Sequence, residues 1–248
     1  MREQEQGTPG TPPPPIEYDE GLRERVATNL AGHRRRAVDL DGRRHAAVAL
    51  VLVDSSPADP VVRARLADGS PARDPLRRPE GLLSAAGGAA FLLCRRPLTM
   101  RRHAGQFALP GGLLDSGEGV VEAALRETHE EVGIDLAPDR VLGLLDDYVT
   151  RSGFVMTPVV VWGGEAEIRP DPGEVMAVYR VGLHQLQRAD SPRFETIPET
   201  DRPVVSVPLG TTIVHAPTAA VLVQLNWLGL QGRSDPVRDF DQPVFAWR

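Results

Sequence analysis

Cysteine is almost missing from this chain. Of 248 residues only Cys94 carries a thiol, so no internal disulfide can form. A cysteine-rich zinc site has no ligands to draw on either. This scarcity fits a reducing compartment, and a cytoplasmic location is expected. Long apolar runs are also missing. Nothing approaches the roughly 18 residues of a spanning helix, so no membrane partner is expected. The N-terminal stretch is acidic and proline-rich and lacks the apolar centre of a signal peptide. Excess positive charge is absent: 28 basic against 34 acidic residues leave a net charge of −6, which excludes general affinity for nucleic acid. There is no Gly-x-Ser-x-Gly elbow, no internal repeat, no convincing linker and no DNA-binding helical pair. What remains is an ordinary globular composition, 41% hydrophobic and 25% charged.

The pattern along the chain predicts one mixed domain over residues 20–232, between a disordered proline-rich tail at 1–19 and a turn-rich tail at 233–248. The run Thr11 to Pro15 favours extended polyproline conformation. Residues 20–32 have helical spacing through Leu22, Val26 and Leu30. The cluster His33-Arg34-Arg35-Arg36 that follows reads as solvated surface. Ala46–Val53 and Ala89–Cys94 read as buried strands. Between them, residues 54–80 are rich in Pro, Asp, Arg and Ser and read as a long surface loop. Further strands are expected at Val141–Leu145, Val155–Trp162 and Met176–Val181, then a short helix at Leu183–Gln187. A hairpin is expected from Val204–Leu209 to Thr211–Val214 around Gly210. An amphipathic helix at Ala219–Leu230 completes the set. Alternating strands and helices of this kind make an α+β domain.

The chemistry concentrates on a helix predicted over residues 119–132. Val120, Ala124, Leu125, Thr128 and Val132 have the spacing of one buried face, and Gly133 stands where a helix ends. Opposite them lie Glu127, Glu130 and Glu131, spaced i, i+3 and i+4. Like charges so placed repel by about 0.2–0.5 kcal/mol per pair. A hard divalent cation would offset that cost, since Mg²⁺ prefers carboxylate oxygens and is commonly shared with substrate phosphates. A merely solvated acidic face has the same appearance. Arg126 stands four residues before Glu130 and can help orient it.

The framing of these residues is more specific. Gly112 is followed by five residues and Glu118, then by seven residues and Arg126-Glu127-Thr128-His129-Glu130-Glu131-Val132-Gly133-Ile134. This 23-residue run resembles the Nudix box, with every charged and glycine position filled. Thr128 replaces the usual aliphatic residue at a position that packs toward the core. The resemblance implies a Nudix fold, a mixed β-sheet sandwiched between helices in an α/β/α arrangement. It implies a diphosphatase in which Glu127, Glu130 and Glu131 hold Mg²⁺ or Mn²⁺. Glu118 would assist in metal binding or helix placement, the Gly112 carbonyl would face the metal, and Arg126 would tether the glutamates. A carboxylate in the box or outside it would take the water proton.

The preceding segment, Leu92 to Gly112, is similar to the coenzyme A pyrophosphatase subgroup of that family. Arg96, Arg101, Gly105, Pro110, Gly111 and Gly112 fall in register, while Cys94, Pro97 and Leu109 depart from it. This likeness implies hydrolysis of coenzyme A or acyl-CoA to adenosine 3′,5′-bisphosphate and 4′-phosphopantetheine. Arg96 and Arg101 would then bind substrate, because the guanidinium fork suits phosphate oxygens, and Gln106 would contact it too. ADP-ribose, NADH or another dinucleotide is the alternative substrate, and a catalytically silent ligand-sensing module is the rival from another class. A small diphosphate is the expected partner, with a homodimer left open. Among Glu165, Glu167 and Glu174, beyond the box, Glu174 is favoured as an extra catalytic carboxylate. His103, His129 and Cys94 are not expected to bind a hard cation.

Overall fold

The structure, a computed structural model, describes residues 11–59, 61–72, 85–100, 104–165 and 167–244. Parts of the expected loop at 54–80 and of both expected tails lie outside these residues. Among the described residues, no helix is long and apolar enough to cross a membrane.

The centre of the molecule is β1 (Arg44–Ser55), an Ala/Val/Leu-rich strand. Its alternate side chains enter two cores. Leu50 and Leu52 join one apolar cluster, while Ala47, Ala49, Val51 and Val53 join the other. That period of two is what a sheet covered on both faces requires. β1 pairs in parallel with β8 (Phe154–Gly164). It pairs antiparallel with β3 (Gly88–Arg95) and with β5 (Gly111–Leu113). On one side β9 (Ala177–Gly182) and β2 (Val62–Arg63) extend the sheet beyond β3. On the other, β6 (Val141–Leu144) pairs with β8. The short strands β4 (Phe107–Ala108) and β7 (Tyr148–Val149) attach to β3 and β8. The sheet is therefore mixed, as expected.

Among the described residues there are three α-helices, of which the first two cover this sheet. α1 (Glu20–Ala31) buries Leu22, Val26 and Leu30, the three residues its spacing predicts, and Asp19 caps it by accepting from the Leu22 N–H at 2.8 Å. α2 (Val120–Val132) packs on the opposite face of the sheet, through Ala123, Ala124 and Val132. α3 (Thr218–Gln224) continues as a π-helical stretch, Leu225–Leu230. The sequence predicts an amphipathic helix here, yet the segment is buried almost all round. It is wedged between α1 and a separate antiparallel sheet of β10 (Arg193–Ile197), β11 (Thr200–Leu209) and β12 (Thr212–His215).

Three flanking segments make contacts that their sequence pattern does not suggest. Within the expected N-terminal tail, Ile16 accepts the Ala89 N–H at 2.6 Å. Tyr18 stacks on Trp162 with ring centroids 4.0 Å apart, and its hydroxyl donates to the Leu52 carbonyl. An aromatic with a satisfied hydroxyl is enough to dock that segment. The expected C-terminal tail is likewise docked through residue 244. Asp241 is buried and paired with Arg151, and Tyr148 donates to the Phe240 carbonyl.

The basic cluster is not a solvated surface apart from Arg34. Asp146 and Asp147 are buried at the end of β6. Asp146 faces His33 Nε2 at 2.7 Å and Arg36 at 3.1 Å, and Arg35 pairs with Asp147. Buried carboxylates require such partners. Burial alone would raise the Asp146 carboxyl. The Arg36 N–H and the His33 and Arg36 side chains outweigh it and hold the carboxyl below its ordinary value. A depressed folded value means stability that is present above the unfolded value of about 3.9 and lost as pH falls through the folded one. Asp146→Ala should cost about 3 kcal/mol at pH 7. It should also flatten the loss of stability below pH ~4. Urea titrations across pH would check this, and parallel acid limbs for both proteins would contradict it.

Candidate active site

Gly119 caps the start of α2, its N–H donating to Glu122 Oε2 at 2.8 Å. The helix ends at Gly133, in the left-handed region. Thr128 is fully buried and satisfies its hydroxyl by donating to the Ala124 carbonyl at 2.7 Å, so a polar residue is tolerated at the aliphatic position of the motif.

Arg126 ties the acidic residues together. Its Nε donates to Glu118 Oε1 at 2.8 Å and its Nη2 to Glu118 Oε2 at 3.0 Å. Its Nη1 reaches Glu127 Oε1 at 2.8 Å and Glu130 Oε2 at 3.0 Å, and Nη2 also donates to the Leu113 carbonyl at 3.0 Å. Glu118 is held below the ordinary carboxylate value, first by Arg126 and then by the Asp115 N–H. It belongs to the framework that fixes the loop before α2.

The three glutamates of the helix do not converge as one face. Glu127 and Glu131, one turn apart, meet Glu174, and one ligand oxygen from each lies within 4.8 Å of the others. Glu130 stands outside that group, exposed and turned to Arg126. Glu174 arrives because its loop is stitched to the helix. Arg169 N–H donates to the Val132 carbonyl at 2.8 Å, and Asp171 N–H to the Glu131 carbonyl at 3.1 Å. Glu167 is drawn off to Arg169 instead.

Glu131 is buried, and its Oε2 accepts the Gly111 N–H at 3.1 Å. Burial pushes its carboxyl up to about 8. The Gly111 N–H and Arg96 oppose that shift, and Glu127 and Glu174 add to it. Glu127 is raised by burial too, against the pull of Arg126. Clustered, desolvated carboxylates with elevated values are poised for a cation. The donor set is all oxygen, which suits a hard divalent ion.

Gly111 and Gly112 make this packing feasible. A Cβ on Gly112 would stand 2.3 Å from Glu127 Oε1. One on Gly111, where φ is +155°, would stand 2.3 Å from the Ala47 carbonyl oxygen of β1. The first glycine therefore makes room for β1 and the second for a carboxylate.

Beside the carboxylates lies a cavity of about 490 Å³ lined by Arg96 and Gln106. Arg96 Nε is buried and has no hydrogen-bond partner among the described residues. Arg101 and His103 lie outside the described residues. His129 is exposed, 3.8 Å from Asp135. Cys94 is buried and its thiol is pushed up, first by burial and then by Glu131, which leaves it inert. The cavity is also lined by Ile213 to Thr218 and Gln242, which are not among the expected site residues, although the stretch from Ile213 to Leu225 is partly similar to the coenzyme A pyrophosphatase subgroup. The antiparallel pairing of β12 with β11 and its contact with the helix that follows hold that segment in place.

Residues 81–200 match the family model described as the NUDIX domain. The chain is 40% identical over 97 residues to the Nudix hydrolase NudL of Pectobacterium atrosepticum, which covers 38% of this chain and 50% of that protein. It is 31% identical over 121 residues to Nudix hydrolase 3 of Caenorhabditis elegans, covering 46% and 50%. The chain thus spans about half the length of the curated relatives it matches. Among solved structures, a MutT/nudix family protein from Enterococcus faecalis aligns with 83% of this chain and 68% of its own, at 14% identity and a TM-score of 0.45. The fold is the Nudix fold. Through residues 81–200 the chain is similar to Nudix hydrolases.

Two glycine variants separate packing from ligation. Gly111→Ala should destabilise the metal-free protein by about 2 kcal/mol or more, because β1 must move. Gly112→Ala should change that stability by less than about 1 kcal/mol, since a side chain can yield, while displacing Glu127. A saturating divalent cation at ~100 times its Kd should raise the wild-type melting temperature by roughly 5–10 °C. Calorimetry with and without Mn²⁺ checks this, and an undiminished rise in Gly112→Ala would refute the assignment of Glu127.

Proposed function

We propose that the chain is a metal-dependent diphosphatase that cleaves a nucleoside diphosphate derivative. Coenzyme A or an acyl-CoA is its favoured substrate. The observation that carries the diphosphatase reading is the meeting of Glu127, Glu131 and Glu174 beneath the Gly111–Gly112 backbone. These three would hold Mg²⁺ or Mn²⁺, with Glu130 and the Gly112 carbonyl at the edge of the site. Glu118 would act on the cation only through the framework it shares with Arg126. Such an ion, when bound, neutralises charge on diphosphate oxygens and lowers the pKa of water.

The rest falls to the chain's own residues. Arg126 holds Glu127 and Glu130 in place. Arg96 lines the cavity, and its guanidinium fork suits a phosphate oxygen. Arg101 is proposed as a second substrate-binding residue, from its register in the sequence alone. Glu174, the exposed member of the trio, is the carboxylate best placed to take a proton from water, because it is the least desolvated of the three. The coenzyme A reading is supported by the arginine-rich run before the motif and by a cavity beside Arg96 large enough for a substantial substituent. A homodimer is compatible with this reading.

Purified protein incubated with Mg²⁺ or Mn²⁺ and a panel of coenzyme A, ADP-ribose, NADH and diadenosine polyphosphates should turn over coenzyme A best. Mass spectrometry of the products should show adenosine 3′,5′-bisphosphate and 4′-phosphopantetheine. Glu131→Gln should lower kcat by about 1,000-fold or more and abolish the cation-induced rise in melting temperature. Turnover of ADP-ribose without coenzyme A would overturn the substrate, and silence toward every diphosphate would overturn the activity.

A further inference from the structure

The cavity beside Arg96 has a composition of its own. It begins at the strand that leads into the carboxylate site, since Gln106, Phe107 and Ala108 line it and Gly111 lies three residues on. Three residues span at most about 10 Å, so a ligand in the cavity can present a phosphoryl group at the carboxylates. Arg96 stands at that junction, lining the cavity while its charge acts on Glu131. Among the described lining residues Arg96 is the one permanent charge, and none is a carboxylate.

The remainder is apolar surface with scattered neutral polar groups. Phe107 is fixed from behind by Tyr179, edge-on at 5.7 Å, and by Arg95, whose guanidinium carbon lies 5.5 Å from the ring centre. Across from it stand Val214, Ala216 and Pro217. Gln106, Gln242 and Thr218 are the amide- and hydroxyl-bearing residues of the lining. His215 is pushed below its ordinary value by burial, against the pull of Glu195, which favours its neutral form. A volume of about 490 Å³ is ample for a flexible chain of drug-like size. A nucleotide bearing a further phosphate would bring several charges to a cavity with a single cation, at a large desolvation cost. An aliphatic chain carrying amides would meet both the apolar wall and the neutral polar groups.

We infer that this cavity receives the uncharged, amide-bearing aliphatic arm of the diphosphate substrate, and that the wall from β12 into α3 selects for it. The inference rests on the activity proposed above and assigns the two halves of its substrate to different places. The arm lies against Phe107 and the 213–218 wall, its phosphoryl end toward Arg96, and the nucleotide half lies outside the cavity. More than half of the lining comes from residues beyond 200, outside the segment that matches the NUDIX domain. Specificity is thereby separated from the chemistry in the sequence as well as in space.

The test measures binding of each product half to the metal-free full-length protein by calorimetry. Two variants alter the wall where the fold can absorb them. Ile213→Asp puts a charge on an exposed wall residue, and Thr218→Trp fills the cavity from the first turn of α3. Both should weaken 4′-phosphopantetheine by about tenfold or more, as expected for disrupting an apolar pocket. Both should leave adenosine 3′,5′-bisphosphate within about twofold, a free-energy change no larger than RT. Loss of the bisphosphate instead would put the nucleotide in the cavity and overturn the inference. So would unchanged 4′-phosphopantetheine affinity in both variants, or its failure to bind the wild type. If the wild type nonetheless hydrolyses coenzyme A, the proposed activity survives that failure. If the wild type hydrolyses no diphosphate, both fall together.

Discussion

The backbone at Gly111 and Gly112 lies against the carboxylates of Glu131 and Glu127, and no side chain stands between them. Everything at the site depends on that contact. β5 must pair with β1 for the contact to exist, and it does so through Ala46, Ala47 and Val48. α2 must approach β5 closely, which its small inner residues Ala123 and Ala124 permit. Given that approach, Glu131 is carried into the interior with one backbone N–H as its polar partner, at a distance of 3.1 Å. A buried carboxylate so lightly compensated is expensive unless it is protonated or faces a cation. The fold therefore stores a deficit of positive charge at one place.

Arg126 relieves that deficit only on the outer side. Its guanidinium is engaged by Glu118, Glu127, Glu130 and the Leu113 carbonyl. A planar fork with five donors can serve several acceptors at once, which a lysine ammonium could not do in the same geometry. Glu131 and Glu174 have no part in that arrangement. The division gives the glutamates two tasks. Glu118 and Glu130 share a cation supplied by the chain, and Glu131 and Glu174 are left facing one another. Glu127 belongs to both sets, so Arg126 can hold its carboxylate in place beside the inner pair.

The parts of this arrangement that were legible in the sequence are local. β1 announces itself as an unbroken Ala/Val/Leu run, and α1 by Leu22, Val26 and Leu30. The motif from Gly112 to Ile134 fixed the family expectation, and Glu174 was the favoured carboxylate beyond it. Spacing alone did not separate Glu130 from Glu131. Both fall within a turn of Glu127, and which one turns inward is decided by how α2 sits on β5. The short strands β4, β5 and β7 have two or three residues each, too few for a periodicity. β10 is largely exposed and polar, so its pattern resembles a loop. The pairing of His33, Arg35 and Arg36 with Asp146 and Asp147 spans more than a hundred positions. Read in isolation, a run of arginines after a helix looks solvated, because its partners come from another part of the chain.

The segment matching the NUDIX domain is not a structural unit by itself. It starts at residue 81, whereas β1 ends at Ser55. Within the matched segment, β3, β5 and β8 all pair with β1, and without it their inner edges would be bare. Unpaired edges of that length expose a row of backbone donors and acceptors and invite aggregation. The segment from α1 to β1 is thus part of the domain's architecture, though it carries none of the motif. The C-terminal extension is bound in the same way, because Asp241 pairs with Arg151 on the turn beside Ser152, and Gln242 and Ser152 both line the cavity. The docking that satisfies a buried carboxylate at the end of the chain also closes the cavity's wall. Chemistry centred on the 23-residue motif, with Gly111 before it and Glu174 beyond it, consequently depends on segments from both ends of the described chain, one supplying the central strand and the other the pocket into which a substrate would reach.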